Sequence, residues 1–219
     1  MSSADSLVSA AGLVAAQEAE RLWRLDIIDP RREDHSELAE RSRALIAQFI
    51  HEGLGWTEPV LYEGDGDFSW CGAFAAFCWR AAGARLSVRK QHFASTRRLD
   101  KWASEASTAD PAPRRRLVLG AGVTEAELAA FSPQPGDLLL VGAPDSPHGS
   151  HIALLASFDP VASAFSTFEG NGFGCGPGSD RPREGLVRVV RHLGPDNRLL
   201  RVLRLGLLDL TDSVQYGVP

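Results

Sequence analysis

No stretch of this 219-residue chain is apolar for long enough to cross a membrane, and no long run carries charge of one sign. A membrane-spanning helix needs about 20 consecutive apolar residues, so we predict no span and expect no membrane partner. The net charge is −5, and the basic clusters Arg97–Arg98 and Arg114–Arg116 are short. We interpret both clusters as solvated loop charge and expect no nucleic-acid partner.

Cysteine is also scarce, with three residues at Cys71, Cys78 and Cys175 and neither a CxxC pair nor a metal-ligand spacing. This pattern argues against a disulfide framework and favours a reducing compartment, with no metal and no other cofactor. Hydrophobic residues make up 44% of the chain, which is enough for a core without disulfides. Cys78 lies two helical turns after Cys71, and we expect it to face the core.

Hydrophobic periodicity places helices in the first part of the chain and strands in the second. The predicted helices cover 4–25, 36–52, 70–82, 95–104 and 124–131. The predicted strands cover 137–142, 151–158, 163–169, 185–192 and 200–209, and 105–116 is predicted to be a loop. Helices followed by strands favour an α+β domain with an antiparallel sheet.

Cys71 is the most informative residue, because it follows a polar loop and opens the apolar helical stretch that ends at Gly83. The N-terminus of a helix carries a partial positive charge that stabilises a thiolate over a thiol. A nucleophilic thiol also needs a base. Cys71 is therefore a candidate nucleophile, with a buried structural cysteine as the alternative.

His151 is the candidate base, because it opens the predicted strand 151–158. The next strand ends at Glu169, and antiparallel pairing brings the start of one strand near the end of the next. Glu169 and Asn171 are therefore candidates to orient the His151 ring, although Asn-Gly is also a common turn pair. His148 is the rival base, since it lies three residues earlier in a predicted turn.

Four segments occur along the chain in the order Trp70–Phe74, Pro135–Leu138, His151–Leu154 and Phe168–Asn171. In sequence and in order they resemble the CHAP amidohydrolase/peptidase family of the papain-like NlpC/P60 superfamily. The resemblance covers about residues 55 to 175 and implies that Cys71, His151, Glu169 and Asn171 are the catalytic residues. It also implies a papain-like fold, with the cysteine helix packed on the sheet. We predict a catalytic domain over 55–219 and a helical extension over 1–54 packed on its core.

The resemblance further implies a cysteine hydrolase that cleaves peptidoglycan as an amidase or an endopeptidase. Met1–Leu7 lacks the basic residues of a signal peptide, so we expect synthesis in the cytoplasm. Delivery to the periplasm or cell wall would then require a secretion system or lysis. An antibacterial effector of this kind would have an immunity or inhibitor protein as partner. The long segment between the cysteine helix and Gly136 departs from the family pattern. The resemblance therefore does not identify which amide bond is cleaved.

Two other functions fit the same residues. One is a papain-like peptidase that acts on a cytoplasmic protein or peptide, and the other is a binding module without enzymatic activity. The acidic segment Glu63–Asp67 invites a calcium interpretation, but its ligand spacing differs from that of an EF-hand loop. We interpret this segment as a loop that frames the cleft.

Overall fold

The computed structural model describes residues 2–30, 36–56, 69–84, 90–105, 114–119, 123–142, 149–179, 181–193 and 199–210. His148, the acidic segment 63–67 and most of the predicted loop 105–116 lie outside these residues. None of the helices in the described ranges is both long and apolar enough to cross a membrane.

Helices α1, α2, α4 and α5 begin at side-chain caps, whereas α3 begins after Trp70 without one. Ser36 accepts a hydrogen bond from the N–H of Ala39, and Thr124 and Glu127 form a capping box. The bounds are α1 Ser3–Trp23, α2 Glu37–Gln48, a π-helix Phe49–Leu54, α3 Cys71–Ala81, a 3₁₀ helix Lys90–Ala94, α4 Thr96–Ser104, α5 Glu125–Phe131 and α6 Leu207–Leu210. The predicted helix 36–52 is thus an α-helix that continues as a π-helix and ends at Gly55, which adopts a left-handed conformation.

The described strands form one antiparallel sheet of six strands in the order β1-β6-β2-β3-β4-β5. Their bounds are β1 Arg115–Val118, β2 Leu138–Val141, β3 His151–Asp159, β4 Ala164–Cys175, β5 Pro182–His192 and β6 Leu199–Arg204. The predicted α+β class with an antiparallel sheet is confirmed. The predicted strand 200–209 is wrong at its end, because Asp209 caps the Gly206 N–H and the chain turns into α6.

The sheet separates two hydrophobic clusters, because successive side chains of a strand point to opposite faces. On one face, Leu154 joins the larger cluster, which contains the helices α1 and α3 and the π-helix. On the other face, Leu155 packs with Phe131 of α5. Helix α3 is buried along its length from Cys71 to Trp79, as expected for a helix that is apolar on all sides.

Helix α1 is seated directly against the turn that leads into β2. A Cβ atom at Gly12 would lie 2.5 Å from the carbonyl oxygen of Pro135, and one at Gly136 would lie 2.4 Å from the Gly12 Cα. The Trp79 indole N–H donates to the Gly136 carbonyl oxygen at 3.1 Å and ties α3 to the same turn. Two glycines therefore allow α1, α3 and the sheet to meet at one point. The domain boundary after residue 54 stays a prediction.

The interpretation of Arg114–Arg116 as solvated loop residues is wrong. Arg115 and Arg116 belong to β1, and the Arg116 Nε donates to an Asp100 oxygen at 2.7 Å. The Arg114 guanidinium lies 4.3 Å from the centre of the Trp102 ring. These side chains join the edge of the sheet to α4. The pattern missed them because an arginine with a buried partner has the same sequence signature as one in water.

Candidate active site

Cys71 is the first residue of α3, and it is buried behind the polar residue Ser69. Trp70 precedes it and is fully buried, which fixes the start of the helix in the core. The Ser69 hydroxyl oxygen lies 3.1 Å from the Cys71 sulfur. The thiol therefore lies at the positive end of a helix and within reach of a hydroxyl group.

Gly72 allows a second segment to approach the thiol. A Cβ atom at Gly72 would lie 1.7 Å from the carbonyl oxygen of Phe93, which belongs to the 3₁₀ helix. The same Cβ would lie 3.0 Å from the Ile152 side chain. Only glycine permits both contacts, so the residue after Cys71 is the point where the 3₁₀ helix and β3 converge on the site.

His151 opens β3, as predicted, and its position follows from the pairing of β2 with β3. It lies opposite Val141, at the end of the β2–β3 ladder, and Gly149 just before it takes a positive φ of 74°. Its Nε2 lies 3.0 Å from the Oε2 of Glu169. The ring N–H lies off the line to this oxygen, so the contact is an ion pair rather than a well-aligned hydrogen bond. The Cys71 side chain is the other polar partner of the ring.

Glu169 is almost fully buried and is held by three neighbours. The Thr167 hydroxyl donates to Oε1 at 2.7 Å. The Arg191 guanidinium donates twice, from Nε to Oε1 at 2.8 Å and from Nη2 to Oε2 at 2.7 Å. Burial alone would raise the pKa of this carboxyl, but His151 and Arg191 outweigh burial and lower the pKa to about 2. Glu169 is therefore ionised at neutral pH.

The pKa of Cys71 is lowered and the pKa of His151 is raised, so each shift favours the charged form of its own group. Burial raises the pKa of the Cys71 thiol, but the contact with His151, the Ser69 hydroxyl and the Ile152 N–H outweigh burial and leave the pKa lowered. Burial lowers the pKa of the His151 imidazole, but Cys71 and Glu169 outweigh it and raise the pKa to about 10. The two groups favour a thiolate–imidazolium pair, which is the reactive form of a cysteine nucleophile.

Asn171, the fourth predicted residue, contacts the start of α3. It takes a left-handed φ of 56° where the register of β4 with β5 shifts, between Glu169 and Gly172. Its Oδ1 accepts a hydrogen bond from the Trp70 N–H at 3.3 Å. The structure thus brings Cys71, His151 and Glu169 into one chain of contacts and connects Asn171 to the residue that precedes Cys71.

Sequence reasoning missed Arg191, Thr167 and Ser69. Thr167 has a signal, since it lies two residues before Glu169 in a strand and therefore shares its face. Ser69 could have been noticed as a polar neighbour of the thiol. Arg191 has no signal in the sequence, because an arginine in a predicted strand resembles a surface residue unless the register of β4 with β5 is known.

The other two cysteines lie apart from this chemistry. Cys78 is fully buried, as predicted, and burial raises the pKa of its thiol well above the usual range. Cys175 lies half-buried at the end of β4, and all three cysteines are free. Within the described ranges, no three His, Cys, Asp or Glu side chains form a group that could hold a metal ion.

Comparisons of this chain with protein-family models, with curated proteins and with solved structures find no match.

Proposed function

We propose that this protein is a cysteine hydrolase of the CHAP type, with a papain-like fold, that cleaves amide bonds in bacterial peptidoglycan. The observation that carries the proposal is the contact chain from Cys71 through His151 to Glu169, with a buried carboxylate 3.0 Å from the imidazole. The opposed pKa shifts of Cys71 and His151 support it. The choice of peptidoglycan as substrate depends on the resemblance of the four segments around these residues.

In the proposed reaction, the Cys71 thiolate attacks the amide carbonyl carbon and forms a C–S bond. The N–H groups at the start of α3, including that of Cys71, stabilise the negative oxygen of the tetrahedral intermediate. The protonated His151 gives its proton to the leaving nitrogen, so the C–N bond breaks and an amine departs. The acyl group remains on Cys71 as a thioester.

Water completes the cycle. Neutral His151 takes a proton from a water molecule, whose oxygen attacks the thioester carbonyl carbon. The C–S bond breaks, a carboxylic acid leaves, and the thiolate–imidazolium pair is restored. Throughout, Glu169 orients the His151 ring and stabilises its positive charge, which is the role of the acid in a nucleophile–base–acid triad.

Digestion of purified peptidoglycan tests this function. Wild type is compared with Cys71→Ala and with the matched control Cys175→Ala, and soluble products are read by mass spectrometry. We expect muropeptides from wild type and Cys175→Ala and none from Cys71→Ala, and the product masses identify the bond. No release from any wall type, although Cys71 reacts rapidly with an alkylating reagent, would contradict the wall substrate. That outcome would favour a protein or peptide substrate for the same chemistry.

A further inference from the structure

We propose that Arg191 is a positioning residue of this site, which fixes the Glu169 carboxylate against His151 and whose charge extends the pH range over which Cys71 reacts. The inference depends on the proposed function only in taking Cys71 as a nucleophile paired with His151. It concerns a residue that lies outside the four segments on which the resemblance rests.

The contact geometry is that of a guanidinium fork on a carboxylate. Nε and Nη2 of Arg191 donate to different oxygens of Glu169, at 2.8 and 2.7 Å. Oε2, which accepts from Nη2, is also the oxygen 3.0 Å from Nε2 of His151. Two parallel bonds fix the plane of a carboxylate as well as its position. Arg191 therefore determines where Oε2 points.

The register of β4 with β5 brings Arg191 to this place. Val187 lies opposite Glu169, and alternation along β5 puts Arg191 on the same face as Val187. Thr167, two residues before Glu169 on β4, completes the set of donors on that face. The Arg191 side chain is 24% exposed while Glu169 is 1% exposed, so the guanidinium reaches from the surface to a buried anion.

The charges alternate in sign along the row of contacting side chains that runs from Cys71 to Arg191. The described charged groups that act on Glu169 are His151 of β3 and Arg191 of β5. The lowered pKa of Cys71 comes from His151, from the Ser69 hydroxyl and from the Ile152 N–H, after the opposing effect of burial. Thiolate, imidazolium, carboxylate and guanidinium together carry no net charge.

Removal of the guanidinium leaves the side chains of Cys71, His151 and Glu169 with a combined charge of −1. This negative charge raises the affinity of the three side chains for a proton. The added proton goes to the thiolate, since a thiol is intrinsically far less acidic than a carboxyl group. Cys71 would then remain protonated, and unreactive, up to a higher pH than in wild type. Arg191 thus extends the reactive range of Cys71 towards acid.

The test measures the rate of Cys71 alkylation by iodoacetamide as a function of pH, with the modified residue identified by mass spectrometry. In Arg191→Met we expect the acid midpoint to rise by less than about one pH unit, which is the low end for a charge in direct contact, because Arg191 contacts Glu169 and not Cys71. The matched control is Arg188→Met. Arg188 lies on the same strand but on the other face, where it donates to Ser166 at 3.1 Å, and its loss should leave the midpoint unchanged.

Arg191→Lys separates charge from geometry, and its retained charge favours a folded protein if Arg191→Met does not fold. A lysine cannot donate two parallel bonds to one carboxylate. We expect the wild-type midpoint with a several-fold lower alkylation rate at neutral pH. A lysine variant as reactive as wild type, or a methionine variant with lower thermal stability and an unchanged midpoint, would overturn the role. Since no substrate is used, failure of peptidoglycan digestion counts against the proposed function alone.

Discussion

The Asn171 side chain accepts a hydrogen bond from the Trp70 N–H, with an N–O distance of 3.3 Å. This bond joins the residue that precedes Cys71 to the strand that carries Glu169. Gly170 supports the same junction, since a Cβ atom there would lie 2.6 Å from the Trp70 ring. The end of β4 therefore contacts the start of α3 and also carries Glu169, so the two halves of the site are joined directly.

Asn171→Ala should destabilise the protein more than Asn171→Gly. Both variants lose a hydrogen bond worth about 1 kcal/mol. Asparagine tolerates the left-handed φ of 56° and glycine adopts it freely, whereas alanine adopts it at a steric cost of about 1–2 kcal/mol. We expect losses in the free energy of unfolding of about 2 kcal/mol for alanine and about 1 kcal/mol for glycine, measured by urea denaturation. Equal losses would show that the left-handed conformation of residue 171 does not affect the free energy of unfolding.

Glu169→Gln should lower the rate of amide hydrolysis by about 100-fold or more, because His151 loses the charge that stabilises its protonated form. The pKa of His151, about 10 in wild type, should fall towards its ordinary value, as followed by NMR of the imidazole. Thr167→Val is the control, since it removes one hydrogen bond to Glu169 but keeps the charge. A glutamine variant with wild-type activity would remove Glu169 from the mechanism.

Glu169 should also make the stability of the fold depend on pH in the acid range. Its pKa is about 2 in the folded protein against an ordinary value of 4.5, so the ionised carboxylate stabilises the fold above about pH 4.5. This contribution is lost as the pH falls from 4.5 to about 2. Glu169→Gln should therefore show a flatter dependence of unfolding free energy on pH across that range. The same slope in both proteins would show that Glu169 is not held as an ion.

Cys71 should react with iodoacetamide faster than Cys78 at neutral pH. Its lowered pKa raises the fraction of thiolate, whereas burial raises the pKa of Cys78 and shields this thiol from the reagent. The measurement is alkylation followed by peptide mass spectrometry, with unfolded protein as the control in which both residues should react alike. Equal rates in the folded protein would contradict the ion pair.

Gly12→Ala should loosen α1 from the sheet. The added Cβ would lie 2.5 Å from the Pro135 carbonyl oxygen, an overpacking that typically costs about 1–3 kcal/mol. Leu13→Ala is the matched control, since Leu13 is 48% exposed on the same helix and its loss should change stability by about 0.5 kcal/mol or less. A Gly12→Ala protein as stable as wild type would mean that α1 is not firmly docked.

The sequence was sufficient to predict the residues of the site whose positions follow from local pattern. The start of α3 at Cys71 and the start of β3 at His151 are set by hydrophobic runs and their boundaries. The approach of Glu169 to His151 follows from a hairpin, in which neighbouring strands must pair. These contacts require only elements that are adjacent along the chain.

Features that depend on register or on distant partners could not be predicted. The shift between Glu169 and Gly172 decides which β5 residues share the face of the carboxylate, and periodicity does not reveal it. Edge strand β1 has four residues, and its arginines find partners only after the chain has folded, Arg115 at the Ala130 carbonyl oxygen in α5 and Arg116 at Asp100 in α4. The papain-like architecture and the domain boundary after residue 54 stay predictions.

Cys71 opens a helix from the first half of the chain, and His151 opens a strand from the second half. Neither residue owes its perturbed acidity to its sequence neighbours alone, so an extended chain carries an ordinary thiol and an ordinary imidazole. The perturbed acidity of both groups thus depends on the packing of α3 against the sheet.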